Sequence, residues 1–250
     1  MIEIATKQGE FGEIRIKERV RDGARLYCIG EGVHTMTRDG TSLFGYVHAM
    51  KLLLGEADNV LMIGGGGGSL ATMLARRNRK STVVDTDPAA EVLAKEYFHL
   101  DPRVRWVTRD AQAFLASSRD AFDAIVIDAC DAFGLIEAFA SPRGLVEAMQ
   151  HLTPGGALVL NIVGCDGSLD FAWQLACSMK KIGFTATLFR PDSGCEGNEL
   201  LHLRERGEPA CLELGDMEQR PEETHLYLSS LRAFVPRASR PNHASLRAAL

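Results

Sequence analysis

The sequence lacks what would tie it to a membrane, a metal cage or an oxidising compartment. No apolar run approaches the roughly 20 residues of a spanning helix. The first residues, Met1-Ile2-Glu3-Ile4, lack the charged-then-apolar pattern of a signal peptide. A cytoplasmic protein with no membrane partner is expected. Six cysteines, at 28, 130, 165, 177, 195 and 211, stand apart with no Cys-x-x-Cys pair. A zinc knuckle and a disulfide framework are therefore disfavoured, and free thiols in a reducing compartment fit best. Positive charge is short as well. Lys+Arg is 28 against Asp+Glu 33, a net charge of −5, so a nucleic-acid binder would need a local basic patch against the overall field. The densest basic run, Arg76-Arg77-Asn78-Arg79-Lys80, precedes an apolar stretch and reads as a solvated helix end. No nucleic-acid partner is expected. Internal repeats and low-complexity tracts are absent too.

What is present is ordinary globular material. In 250 residues, 46% are hydrophobic and 24% charged, enough for a sizeable core in one large domain or one domain with an appendage. Residues 1–55 form a small β-rich segment. Glu13 to Lys17 and Arg25 to Ile29 alternate apolar and polar, with the Asp22-Gly23 turn signal between them. Leu43 to Leu54 then reads as a helix. From 56 to 204 strand and helix alternate. Val60 to Ile63, Thr82 to Val84, Val104 to Val107, Ala124 to Ile127 and Ala157 to Ile162 are short unbroken apolar runs, as in strands buried on both faces. Helices are expected at Ser69–Arg77, Ala89–His99 behind Pro88, Ala111–Ser117, Pro142–Leu152 and Leu169–Ile182. Pro154-Gly155-Gly156 reads as a turn. Phe184–Phe189 and Leu200–Leu203 read as closing strands. The pattern predicts an α/β, Rossmann-like, doubly wound and mostly parallel sheet. Residues 205–250 form a C-terminal extension, with a helix expected over Thr224–Phe234 and, from Pro236 onward, either a mobile tail, the favoured reading, or an arm packing on a partner subunit.

One stretch carries chemistry. Gly64-Gly65-Gly66-Gly67-Gly68-Ser69 follows a strand and opens a helix, so a ligand can approach bare backbone. No Lys-[Ser/Thr] follows, which disfavours a Walker A phosphate loop. Asp85 ends the second strand, where an acid can accept both hydroxyls of a ribose. Asp87, directly before Pro88, reads as a helix cap. Asp110 follows the third strand and Asp128 the fourth. In an open α/β sheet, ligands bind beyond the carboxyl ends of the strands, so these residues converge on one edge.

These residues resemble the spermidine synthase-like branch of the class I AdoMet-dependent transferases. The resemblance rests on Val60 to Gly66, on Val84-Asp85-Thr86-Asp87-Pro88, on Phe122 to Asp131 and on Leu152-Thr153-Pro154-Gly155-Gly156. It covers roughly residues 10–204 and implies S-adenosylmethionine, or its decarboxylated form, as co-substrate. The backbone of Gly64, Gly65 and Gly66 is implied to hold the donor's tail, with Gly67 next to it. Asp85 is implied to bind the ribose, and Asp110 and Ala111 the adenine edge. Asp128 is implied to sit at the reacting carbon and accept a proton from an attacking amine, and Asp131 to help bind that amine. His34 stands in for a family glutamine near the donor, and His48 for a family histidine, although a histidine here is more often a satisfied structural residue. A homodimer is also implied.

Two departures bear on the reaction. Aminopropyltransferases read Gly-Gly-Gly-Asp-Gly-Gly, and their aspartate grips the aminopropyl ammonium. Here Gly67 stands in its place and Ser69 replaces the last glycine. The family's Tyr-His-Glu-Met becomes Val47-His48-Ala49-Met50. Gly66-Gly67-Gly68-Ser69-Leu70 looks more like the spermidine-synthase-like methyltransferases. Methyl transfer to an amine or other small nucleophile is therefore the first expectation. The alternatives are aminopropyl transfer from decarboxylated AdoMet, and a non-catalytic nucleoside-binding or interaction protein on the same fold. A thioether leaves without a metal, so no metal site is expected. Residues 129–141, with Cys130, Phe133, Leu135, Ile136 and Phe139, are expected to form a rather apolar acceptor pocket.

Overall fold

The computed structural model describes residues 1–131, 134–163, 169–192, 197–215 and 217–236. The tail expected from Pro236 lies, beyond that residue, outside them. The N-terminal segment is a five-stranded antiparallel meander: β1 (Ile2–Gly9), β2 (Gly12–Arg19), β3 (Ala24–Ile29), β4 (Gly32–Arg38) and β5 (Thr41–Ser42). Two of these strands, β2 and β3, match the alternating runs. β1 and β4 went unread because their patterns are weaker, and β4 turns out to carry His34.

Beyond α1 (Gly45–Leu53) the chain winds a second sheet. Its elements are β6 (Asn59–Ile63), α2 (Ser69–Ala75), β7 (Lys80–Asp85), α3 (Pro88–Tyr97), β8 (Arg105–Thr108), α4 (Ala111–Ser117) and β9 (Phe122–Ile127). A small hairpin, β10 (Cys130–Asp131) with β11 (Gly134–Leu135), leads to α5 (Pro142–Met149), β12 (Leu152–Ile162) and α6 (Leu169–Lys181). The chain closes with β13 (Thr185–Pro191), β14 (Glu199–Arg204), α7 (His225–Ser230) and β15 (Leu231–Phe234). The strand order is β15-β13-β14-β12-β9-β6-β7-β8. The five strands from β12 to β8 run parallel, and β14, β13 and β15 are antiparallel. The expected mostly parallel, doubly wound sheet is therefore what forms. No described helix is long and apolar enough to cross a membrane.

The apolar runs dictate the layers. Leu61, Ile63, Ile125, Ile127, Leu158 and Leu160 face one way, into a core shared with α4, α5 and α6. Val60, Met62, Ala124, Val126 and Val159 alternate to the other face, under α1, α2 and α7. Both faces are buried, which is why these strands lack polar alternation. A third, smaller core ties the two sheets together. Ile14, Ile16 and Tyr27 of the meander pack on Ala89 and Leu93 of α3 and on Phe98.

Three local expectations need correction. The Thr224–Phe234 helix stops at Ser230, and Leu231–Phe234 turns out to pair with β13 as an edge strand. Extended pairing there shields β13, which would otherwise be an open edge. The Pro142–Leu152 helix stops at Met149, because Leu152 already pairs with Phe122. Pro154-Gly155-Gly156 is not a separate turn. It lies inside β12 as an irregularity, with Gly155 at φ 84°, between the pairings of Leu152 and Ala157.

Tyr227 of α7 is the wedge that fixes the C-terminal segment. Its ring fills space left by two glycines. A Cβ on Gly45 would lie 2.6 Å from the Tyr227 Cβ, and one on Gly197 would lie 2.6 Å from Tyr227 Cε2. Its hydroxyl donates to the Asn198 carbonyl. Gly→Ala in a helix usually gains up to about 1 kcal/mol. At Gly45 the steric cost of about 1–3 kcal/mol reverses that sign. Gly45→Ala is expected to lower stability in chemical denaturation, and a stabilised variant would show that Tyr227 is free to move.

Candidate active site

The sheet's order turns back on itself between β6 and β9, and the loops after these two strands diverge to leave a crevice. The meander roofs it. The result is a cavity of about 1890 Å3 between the two sheets. Along its wall, acidic side chains outnumber arginines eight to two among the described residues, which suits a cationic guest.

The glycine loop forms the floor. Gly64 N–H donates to the Val84 carbonyl at 2.9 Å, and Asp128 N–H to the Ile63 carbonyl at 2.8 Å, so the loop is stitched to both neighbouring strands. Gly64 has φ 88°, and a Cβ there would overlap the Asp128 carbonyl. At Gly65 a Cβ would run into the Trp106 ring. Gly64, Gly65 and Gly66 line the cavity. Gly67 does not. Its N–H donates to Thr35 Oγ1 at 3.0 Å, and a Cβ would sit 2.9 Å from the Phe98 ring and from the Thr35 methyl. The place of the family aspartate is therefore filled by Phe98 and Thr35.

Asp85 anchors the loop as well as facing the cavity. Its carboxylate accepts from Gly65 N–H at 2.7 Å and from Asp87 N–H at 2.9 Å. Each oxygen keeps a lone pair for a ligand hydroxyl. Burial, with Asp87 nearby, raises its pKa against the pull of those amides. Asp87 caps α3 as its place before Pro88 implies, accepting from Ala89 N–H at 2.8 Å, and it also accepts from Glu10 N–H at 3.0 Å in the meander. Asp110 caps α4 through Ala113 N–H at 2.8 Å while lining the cavity beside Ala111.

Asp128 follows β9 directly and also lines the cavity. Burial pushes its carboxyl up to about 6, partly offset by a hydrogen bond from Asn161 Nδ2 at 2.6 Å. The two residues meet because Ile127 pairs with Leu160 across the parallel strands, which sets the next residues side by side. The backbone of Asp131 forms β10, and its side chain lies outside the described residues.

The two histidines part company. His34 lines the cavity, and burial lowers its pKa, so it presents a neutral ring there. His48 does not reach the cavity. It is buried with Nε2 2.8 Å from the Ser42 carbonyl, the position of a satisfied core histidine. In the expected acceptor wall, Ile136 lines the cavity, Phe139 turns into the core beneath the sheet, and Cys130, Phe133 and Leu135 fall outside the described side chains. Among the cavity residues that went unread are Thr35, Tyr227 and Asn161. Asn161 alone left a signal, a polar residue inside the apolar run of β12.

Residues 60–156 match the methyltransferase domain family. A probable polyamine aminopropyl transferase of Bifidobacterium longum is 30% identical over 137 residues, 52% of this chain and 31% of that protein. The polyamine aminopropyltransferase of Sulfolobus acidocaldarius is 27% identical over 180 residues, 66% of this chain and 58% of that protein. The chain thus spans less than two thirds of either relative. Among solved structures, a probable spermidine synthase from Corynebacterium glutamicum superposes with a TM-score of 0.69 at 21% identity, covering 81% of this chain and 80% of that one. The chain thus shares the fold of that solved structure, with the methyltransferase-domain match lying in its parallel-sheet region.

Proposed function

We propose that the chain transfers an alkyl group from an AdoMet-type sulfonium to an amine, with aminopropyl transfer from decarboxylated AdoMet as the first reading. The observation that carries it is Asp128, a carboxylate with a pKa of about 6 beside a bare-backbone loop. The donor, when bound, supplies an electrophilic carbon and a neutral thioether leaving group. An amine has an ordinary pKa near 10 and is mostly protonated at neutral pH, so it must shed a proton before attack. A carboxyl near 6 is a stronger base than one at the usual 3.8 and remains ionised at pH 7. Asp85 fits the ribose hydroxyls and the acid-rich wall fits the sulfonium and ammonium charges. Holding two reactants in line contributes about 7–11 kcal/mol to such a displacement. The names of the relatives support the aminopropyl form.

A second reading, methyl transfer, has one observation in its favour. No carboxylate can project from position 67 while Phe98, fully buried, and Thr35 occupy that space. The aminopropyl ammonium then loses a charge-assisted bond that contributes about 1.5–3 kcal/mol, and the carboxylate of intact AdoMet loses a repulsion. Calorimetric titration with each donor, followed by mass analysis of products from a diamine panel, separates the two. Decarboxylated AdoMet binding about tenfold tighter, a difference of about 1.4 kcal/mol, with an aminopropylated product, is the expected result. The reverse order with methylated product moves the assignment to methyl transfer. Tight binding with no product from either donor supports a non-catalytic binding protein.

Asp128→Asn is expected to lower kcat roughly 100-fold or more, as loss of a general base does, while leaving donor affinity within about twofold. In the unsubstituted protein kcat should rise with pH through about 6, because only the ionised carboxylate accepts a proton. Stability follows the opposite sign. The folded-state pKa lies above the ordinary value, so the native state holds more protons between the two and loses stability as pH rises through that window. Asp128→Asn should therefore raise the melting temperature at pH 8 and raise it less at pH 5. An equal shift at both would remove the buried charge as its cause.

A further inference from the structure

Five buried side-chain atoms among the described residues lack a hydrogen-bond partner: Ser81 Oγ, Trp106 Nε1, Asn161 Oδ1, His202 Nε2 and Arg204 Nε. Of these residues, Asn161 alone lines the cavity. It is 5% exposed. Its amide is planar and its Nδ2 is committed to Asp128 at 2.6 Å, so Oδ1 points away from that bond with both lone pairs unused. Buried polar atoms in native proteins are nearly always paired, and an orphan beside a reactive group calls for a ligand. The strand that carries it is otherwise apolar at this depth, with Leu158, Val159, Leu160 and Ile162 all buried. A leucine would satisfy the core here. An amide beside Asp128 serves something else.

We propose that Asn161 is the positioning residue of the acceptor subsite: its Nδ2 fixes the Asp128 carboxylate, and its Oδ1 accepts an N–H of the attacking amine. The proposal rests on the amine reading of the site. A primary ammonium gives one proton to Asp128, which passes it to solvent and returns to its acceptor form. The neutral amine then has two N–H groups and one lone pair. Asp128 accepts one N–H and Asn161 Oδ1 the other, which leaves the lone pair as the free direction on nitrogen. That pair forms the new C–N bond as the C–S bond breaks, and its electrons leave on sulfur as a neutral thioether. An alcohol or a secondary amine has one hydrogen for two acceptors and leaves Oδ1 unpaired, so the pair selects primary amines. Asp85 and Asp110 line the same cavity from neighbouring strand ends. The upward shift of the Asp128 carboxyl comes from burial, opposed by the Asn161 bond, and not from those charges.

The test uses Asn161→Leu and Asn161→Gln in the full chain, with donor calorimetry as the control for folding and the donor site. In Asn161→Leu the acceptor KM is expected to rise about tenfold or more, which corresponds to about 1.4 kcal/mol, with donor affinity unchanged. The acid limb of kcat should move to higher pH, because the bond that lowers the Asp128 pKa is gone. Asn161→Gln should recover part of both. A merely structural asparagine would lower melting temperature without moving the pH profile or the KM for the amine alone. An unchanged acceptor KM and acid limb in Asn161→Leu overturns the proposal. Carboxyl NMR titration of Asp128 and binding of propylamine to the donor-saturated protein need no turnover. If no amine is alkylated, the proposed function falls, and these two measurements still decide on Asn161. A raised Asp128 titration with weaker propylamine binding in Asn161→Leu sustains its role, and unchanged values overturn it.

Discussion

The structure depends on a stretch of backbone that cannot carry side chains. Across the glycine loop, each position is denied a Cβ for its own reason. Gly64, Gly66 and Gly68 have φ of 88°, 47° and 70°. Gly65 and Gly67 are blocked by the rings of Trp106 and Phe98. Five consecutive glycines cost conformational entropy on folding. That cost is offset because the loop becomes the meeting point of everything else. It is bonded to Val84 and Asp85 on one side and lies against Asp128 on the other. Through Thr35 it is tied to the roof. The floor, the roof and the two flanking strand ends therefore share one set of contacts.

Electrostatics follows from that geometry. Packing backbone so closely excludes water from the strand ends, and the carboxylates there feel it. Asp85 and Asp128 are both raised by burial, and each is partly compensated by hydrogen bonds to its charged form. The compensation differs in kind. Asp85 receives main-chain amides that also fix the loop, so its anionic form is built into the fold. Asp128 receives a single side-chain amide, so its protonation state stays responsive to what enters the cavity. That difference separates a carboxylate fixed by the main chain from one held by a side chain, although both lie at strand ends on the same edge.

The parts legible in the sequence are those with a local cause. Buried parallel strands require unbroken apolar runs, and Val60–Ile63 and Ala124–Ile127 are unambiguous. Asp87 before Pro88 is a cap because the cap bond spans two residues. The misreadings arise where the cause is distant. Leu231–Phe234 has no strand signature of its own and is extended because β13 needs a partner. His48 is at a plausible spacing for a site residue, but α1 turns it toward Ser42. Gly67 looks like part of the ligand loop until Thr35, more than thirty residues away, claims its amide. Asn161 and Asp128 become neighbours only through the pairing of β12 with β9. Sequence spacing carries strand ends and caps; it does not carry register between strands that are distant along the chain.

The two halves of the cavity are unequal in how much they specify. On the proposed reading, the donor side has the glycine floor, the Asp85 carboxylate and the Thr35 roof contact. The proposed acceptor side offers Asp128, Asn161 and a neutral His34 among largely apolar neighbours such as Ile136 and Ala138. A neutral imidazole can orient a guest by hydrogen bonding without adding charge. With so few polar groups, discrimination among acceptors must rest on the hydrogen count of the nucleophile and on the shape of the rest of the molecule. Apolar walls discriminate weakly between homologues, since one methylene contributes about 1–3 kcal/mol. A polar pair that would be left unsatisfied rejects the wrong group more strongly. Under that proposal, chemistry at the nucleophile, rather than the length of the chain behind it, is the property the site recognises.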